Sequence, residues 1–245
     1  AARAARPEDV FLRHQIKIAL RNQIRGDGEL AALIEAGLSP EQLRLVTEAA
    51  MGVESREAGE FLMNAIEKKA IPDDRLADAV LAASGRVAKE NAVRLAQMSE
   101  ARWANDPDRQ FSLLMAIRDG LKRQGIGETP ETRTWALALA KRMLADSSAN
   151  MDDVKRRLRW GATMCGDFGL EELRLDLAEI VAGERFEPEI RSAAAASLVR
   201  LRHDDRSAVL AAMIAETVLV PKQREAICAV LAAAAKSDSP DKRKA

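Results

Sequence analysis

The stretch EPEIRSAAAASLVRLRHDD, residues 187 to 205, decides the fold, because it reads as one complete helix of a stacked helical repeat. Pro188 occupies the first helical turn, where its missing N–H has no partner to lose, and Ile190, Ala194, Leu198 and Leu201 follow at helical spacing. Ala193 to Ala196 leave room for a neighbouring helix to approach closely. Arg191, Arg200 and Arg202 are expected to extend toward water along the edge. The stretch states an architecture and no reaction.

Outward from it, prolines punctuate the chain. Ser39-Pro40-Glu41, Asp106-Pro107-Asp108 and Thr129-Pro130-Glu131 each supply an N-cap oxygen, a Pro at the first helical position and an acid at the positive end of the helix dipole. Asn150 with Asp153 gives a start resembling a capping box. The steps from Pro7 to Pro40, Pro40 to Pro72, Pro72 to Pro107 and Pro188 to Pro221 are 33, 32, 35 and 33 residues, and a period of that size marks a solenoid.

Each period divides into two helices, with no strand-like alternation. The spacing predicts pairs at 8–24 and 29–36, 40–51 and 55–69, 73–84 and 88–104, and 107–123 and 130–146. Further pairs follow at 151–165 and 170–182, and at 188–202 and 205–219, with 222–236 beginning a seventh. A lone helix pair cannot bury both its apolar faces, so the expectation is one elongated all-α domain over 1–236, with a polar tail at 237–245. The opening AARAAR reads as the tail of an earlier helix, and Ser239-Pro240-Asp241 as a start signal with no helix left to follow. The chain is therefore expected to be a piece of a larger, multidomain protein.

Composition agrees with helices throughout. Hydrophobic residues make up 47% of the 245, aromatics only 3%, and Tyr is absent. Lys plus Arg equals Asp plus Glu at 38 each, so no global field draws in a polyanion, although a local patch could do so. No apolar run approaches the roughly 20 residues that span a bilayer. Cys165 and Cys228 each lie inside an apolar helical pattern without CxxC spacing; they read as small buried hydrophobes, with a disulfide or reactive thiol as the alternative.

With the pairs laid out, PEIRSAAAASLVRL resembles the first helix of a HEAT repeat, and PKQREAICAVLAAA at 221 to 234 resembles it again. The earlier pairs keep the period without the Arg at its expected place, so HEAT, armadillo-like and plain helical hairpins all stay open for them. The resemblance implies a right-handed α-α superhelix of about six to seven helical hairpins. More narrowly, DVFLRHQIKIALRNQI at 9 to 24 is similar to the HEAT-like region of large secreted bacterial proteins that join a dehydrogenase-like propeller to a cytochrome c module. That likeness implies an extracytoplasmic compartment, where the chain would otherwise be placed in the cytoplasm. The haem of that family is attached through CxxCH, which this sequence lacks, so no cofactor is expected and any dehydrogenase chemistry would belong to the parent protein.

Catalytic and metal-ligating patterns are missing. His14 and His203 stand far apart without HExxH or HxH context, and no glycine-rich phosphate loop is present. The acidic pairs Asp73-Asp74, Asp152-Asp153 and Glu171-Glu172 all fall in expected first turns, where the dipole accounts for them. The surface candidates are the basic cluster Lys155-Arg156-Arg157-Arg159 beside Trp160, and Arg102, Trp103, Trp135 and Arg142 on second helices, which line the concave face of HEAT-like arrays. Arg102, Trp103, Trp135, Arg142, Arg156, Arg159 and Trp160 are thus the expected partner-binding residues, with core plugs as the alternative for the tryptophans. The expected function is a non-catalytic scaffold that presents a concave surface to a protein partner or to a neighbouring domain of its own parent chain. The alternative is a HEAT-like DNA-binding protein or DNA glycosylase, which would need Lys and Arg concentrated on second helices; those at 55–69, 170–182 and 205–219 are acidic or mixed.

Overall fold

The structure, a computed structural model, describes residues 10–201 apart from 27, 36, 147–149 and 184. The expected helices at 205–219 and 222–236, the tail, His203 and Cys228 lie outside the described residues. Among the described residues every regular element is helical and none is a strand. The chain divides into two compact units, Ala1–Thr132 and Arg133–Ala245.

In the first unit run α1 (Val10–Gln23), α2 (Glu29–Glu35), α3 (Pro40–Ala50), α4 (Arg56–Glu67), α5 (Leu76–Ser84), α6 (Lys89–Arg102) and α7 (Pro107–Arg123). The division falls in the first turn of α8 (Pro130–Leu144), after which come α9 (Met151–Asp167), α10 (Arg174–Ala182) and α11 (Pro188–Arg200). Helices pack on their neighbours and on the next but one: α3 on α4, α4 on α5 and α5 on α6, but also α1 on α3, α5 on α7 and α9 on α11.

The start signals act as their chemistry requires. Ser39 Oγ accepts from the Gln42 N–H at 3.3 Å while Gln42 Oε1 accepts from the Ser39 N–H at 2.9 Å, a complete capping box. Asp106 accepts from the Arg109 N–H at 2.9 Å, Thr129 Oγ1 from the Thr132 N–H at 3.2 Å, and Asn150 from the Asp152 N–H at 3.1 Å. Two starts differ from expectation: Asp73–Arg75 and Glu171–Leu173 are single 3₁₀ turns, and α5 and α10 begin only after them. Each is preceded by Pro72 or Leu170, whose side chains hold no capping oxygen, and each closes an i→i+3 bond, from Arg75 N–H to Pro72 O and from Leu173 N–H to Leu170 O.

Two turns, at Gly125 and Gly169, end a helix through a glycine of left-handed conformation. Gly125 has φ 72°, with Ile126 N–H donating to Leu121 O and Gly125 N–H to Lys122 O. At Gly169, φ 56°, Leu170 N–H reaches Cys165 O. In the first unit the core gathers Leu62, Ile66, Val80, Leu95, Leu113, Leu114 and Ile117; in the second, Trp135, Leu139, Met143, Phe168, Leu177 and Leu198.

One side chain of the opening stretch departs from its expected place. Arg191 does not extend toward water but is 1% exposed, because its Nε–H donates at 2.8 Å to Val181 O in the last turn of α10. A buried cation is tolerable there, since it meets the negative end of the α10 dipole and a carbonyl that would otherwise lack a partner.

Alternate helices touch most closely where one carries glycine. A Cβ on Gly120 of α7 would stand 2.8 Å from the Gly85 amide nitrogen and 2.9 Å from Ser84 Cβ at the end of α5. One on Gly166 of α9 would lie 2.8 Å from the backbone of Ser197 in α11. Gly120→Ala should therefore cost about 1–3 kcal/mol by overpacking, although a helical glycine replaced by alanine ordinarily gains stability. Gly127→Ala, where a Cβ meets nothing within 4 Å, serves as the control and should change stability by at most about 1 kcal/mol. Urea denaturation of both variants checks this, and a stabilised Gly120→Ala chain would contradict the packing.

Candidate functional site

The seven surface candidates separate once their neighbours are known. Arg102 and Trp103 belong to the first unit and the other five to the second. Arg102 is exposed, yet its guanidinium donates at 3.0 Å to Ile66 O near the end of α4 and lies 4.5 Å from the centroid of the half-buried Trp103 ring. The pair ties the end of α6 to the end of α4. Trp135 is 1% exposed, so it fills the core of the second unit and presents no surface; its indole N–H has no hydrogen-bond partner. Arg142 is exposed on the last turn of α8.

The basic cluster on α9 is matched charge for charge. Lys155 reaches Glu187 at 2.6 Å, Arg156 reaches Asp153 at 2.6 Å, Arg157 reaches Asp146 at 2.9 Å and Arg159 reaches Glu189 at 3.5 Å. The Glu187 hydrogen bond holds the Lys155 ammonium above its ordinary range. Arg156 also sits 5.3 Å from the centroid of the half-buried Trp160 ring. Lys155 and Arg159 therefore face the acidic start of α11, and the cluster works across the α9–α11 seam.

The acidic pairs resolve in the same way. Asp73 pairs with Arg109 at 2.8 Å. Glu172 takes both terminal nitrogens of Arg133, at 3.0 and 2.9 Å, and that pairing depresses its carboxyl below the usual range. Among the described residues no group of three or more His, Cys, Asp or Glu is placed to hold a metal ion, and no helix is long and apolar enough to cross a membrane. His14 is exposed on α1.

Cys165 is buried, its S–H directed at Gly161 O at 3.2 Å, and burial pushes the thiol up from 9.0 to about 12. It is a core residue without thiolate character at neutral pH.

Sequence reasoning missed a cavity of about 510 Å³ in the first unit, lined by Glu54, Ser55 and Arg56 at the start of α4, by Leu81, Ala82, Gly85 and Arg86 at the end of α5, and by Arg123 at the end of α7. Arg86 is half-buried there and donates to Ala50 O at 3.2 Å and Met51 O at 2.9 Å, which covers the carbonyl end of α3. Burial first, and the charge of Arg123 beside it, lower the affinity of the Arg86 guanidinium for its proton, while Glu54 raises it. Arg56 is engaged by Glu60 at 2.8 Å. The lining holds three cations, Arg56, Arg86 and Arg123, and one carboxylate, Glu54, a set equipped to hold an anion. Its residues come from three separate stretches, and no short motif announces it.

No protein-family profile, curated protein or solved structure matches the chain.

Two outcomes follow for the side chains placed in the core. Trp135→Ala should lose about 3–5 kcal/mol in urea denaturation, while Trp135→Phe, which also removes the unpartnered N–H, should stay within about 1.5 kcal/mol of the native chain. A mild Trp135→Ala would return this residue to the surface. In a Cys228→Ser chain, Cys165 should resist Ellman's reagent at pH 8 until denaturant is added. The folded thiol ionises higher than the unfolded one, so its contribution to stability is intact below pH 9.0 and is lost as the pH climbs toward about 12.

Proposed function

We propose that the chain is a non-catalytic α-solenoid of HEAT or armadillo type, a single elongated array that presents its second helices to a protein partner or to a neighbouring domain of a larger parent protein. The observation that carries this reading is the offset of its cross-links. Ile66 and Arg102 are 36 residues apart, Arg86 reaches residues 36 and 35 positions earlier, Gln124 Nε2 donates to Ser84 O and Val87 O at offsets of 40 and 37, and Arg133 donates to Gly169 O at an offset of 36. Contacts repeated at about one period are what a stack of similar hairpins makes.

The partner is taken to be protein because the cations on the α9 face are each balanced by a carboxylate. A nucleic-acid groove needs such cations unmatched, so that phosphates replace small counterions. Exposed ion pairs of this kind add little stability, about 0–1 kcal/mol each, but they remove the long-range field that gathers a polyanion.

Two measurements test the proposal on the full chain. Small-angle scattering should return a radius of gyration clearly above the value of about 18 Å expected for a compact globule of this length. Crosslinking mass spectrometry on the parent protein, or on cell extract, should place partner crosslinks on the second helices, such as Lys141 of α8. A radius near the compact value sinks the solenoid. Crosslinks confined to first helices, or duplex DNA binding that falls steeply with salt, sink the scaffold reading.

A further inference from the structure

We propose that the cavity between the start of α4, the end of α5 and the end of α7 binds a carboxylate group, held between the guanidinium groups of Arg86 and Arg123. The proposal goes beyond the scaffold reading and does not depend on it, since every lining residue lies within the first unit.

Three observations converge. The cavity, at about 510 Å³, falls in the range of roughly 300–1,000 Å³ typical of small-ligand pockets. Arg86 spends one hydrogen of each terminal nitrogen on Ala50 O and Met51 O, which leaves Nε–H and a second hydrogen on each terminal nitrogen for another acceptor. Arg123 approaches as a second cation with no ion pair or side-chain hydrogen bond among the described residues, so its charge meets that of Arg86 without a counterion of its own. Two guanidiniums facing one space cost energy unless an anion lies between them.

Charge sets the class of that anion. Arg56 is already paired with Glu60, and Glu54 at the rim offsets one of the two remaining cations. The balance left is about one positive charge, which a single carboxylate satisfies; the guanidinium fork also matches a planar carboxylate with two parallel bonds. A phosphate dianion would exceed that balance and meet Glu54. The start of α4 adds the positive end of its dipole on the same side, while Arg86 covers the carbonyl end of α3, which would otherwise repel an anion.

The source of the carboxylate is either a free small acid or an acidic side chain of a partner polypeptide, and the test separates them. The ¹⁵N-labelled full chain is titrated with glutarate, with a short glutamate-containing peptide capped at both ends, and with inorganic phosphate, at fixed ionic strength. Saturable amide shifts are expected at Ser55, Arg56, Gly85 and Arg86 with the carboxylates. Arg123→Gln, an exposed position whose loss leaves α7 intact, should weaken binding about fivefold, as loss of one partly exposed charge pair implies. Glu54→Gln, which removes the competing carboxylate, should tighten it. Tighter binding of the peptide than of glutarate identifies a polypeptide source, and the reverse a small acid; either supports the site. No saturable shift with either carboxylate, binding of phosphate alone, or unchanged affinity in the Arg123→Gln chain would overturn it.

Discussion

Gly120 against Ser84 and Gly85, and Gly166 against Ser197, set the spacing on which the remaining packing depends. At both places a helix lies against the next but one with no room for a Cβ, and Ser84 Oγ, turned back onto Val80 O at 2.7 Å, is close enough to meet Ala116 O of α7 at 3.4 Å. Backbones that approach this far bring their flanking residues into contact, so Leu113, Ile117 and Leu121 around one crossing and Ala162, Cys165, Ala194 and Leu198 around the other are buried. Alanine-rich faces serve the same end. The core is built from small and medium aliphatics because helices this close leave no space for many rings, and this accounts for a chain with 3% aromatic residues.

Close crossings create a second problem, which arginine and glutamine solve. Each helix ends with carbonyls that lack an intrahelical partner, and packing removes the water that would satisfy them. Arg86 covers the end of α3, Arg102 the end of α4, Gln124 the end of α5 and Arg191 the end of α10. Arginine suits the task because its stem packs along apolar surface while its fork meets two carbonyls at once and its charge complements the dipole.

Much of the helical layout was legible in the sequence because its signals are local. Ser39, Asp106, Thr129 and Asn150 act within three residues of themselves, and a proline at the first position stops the preceding segment as surely as it starts the next. The 3₁₀ turns at Asp73–Arg75 and Glu171–Leu173 escaped because an acidic pair reads as a dipole-favoured start whether or not a capping oxygen precedes it. What side chains do at a distance was not legible. Arg191 has the same neighbours in sequence as a surface arginine, and only the end of α10 makes it a buried one. The cluster at Lys155 to Arg159 read as a free basic patch because Asp146, Glu187 and Glu189, which answer it, lie outside its own stretch. Trp135 reads from the sequence either as a groove residue or as a core plug, and its burial selects the second.

A net charge of zero can mean few charges or many, and here the sequence holds 38 basic and 38 acidic residues. Pairs such as Arg109 with Asp73, Arg94 with Glu67, Arg133 with Glu172 and Arg200 with Asp167 link segments well separated in sequence. Each exposed pair contributes little by itself, about 0–1 kcal/mol. Such a system makes departures from pairing informative. Where a guanidinium has a carbonyl or a carboxylate within reach, its presence is explained by the fold. At the cavity Arg86 is explained by the α3 carbonyls it covers, but Arg123 beside it is not, and with a single carboxylate in the lining one positive charge is left over.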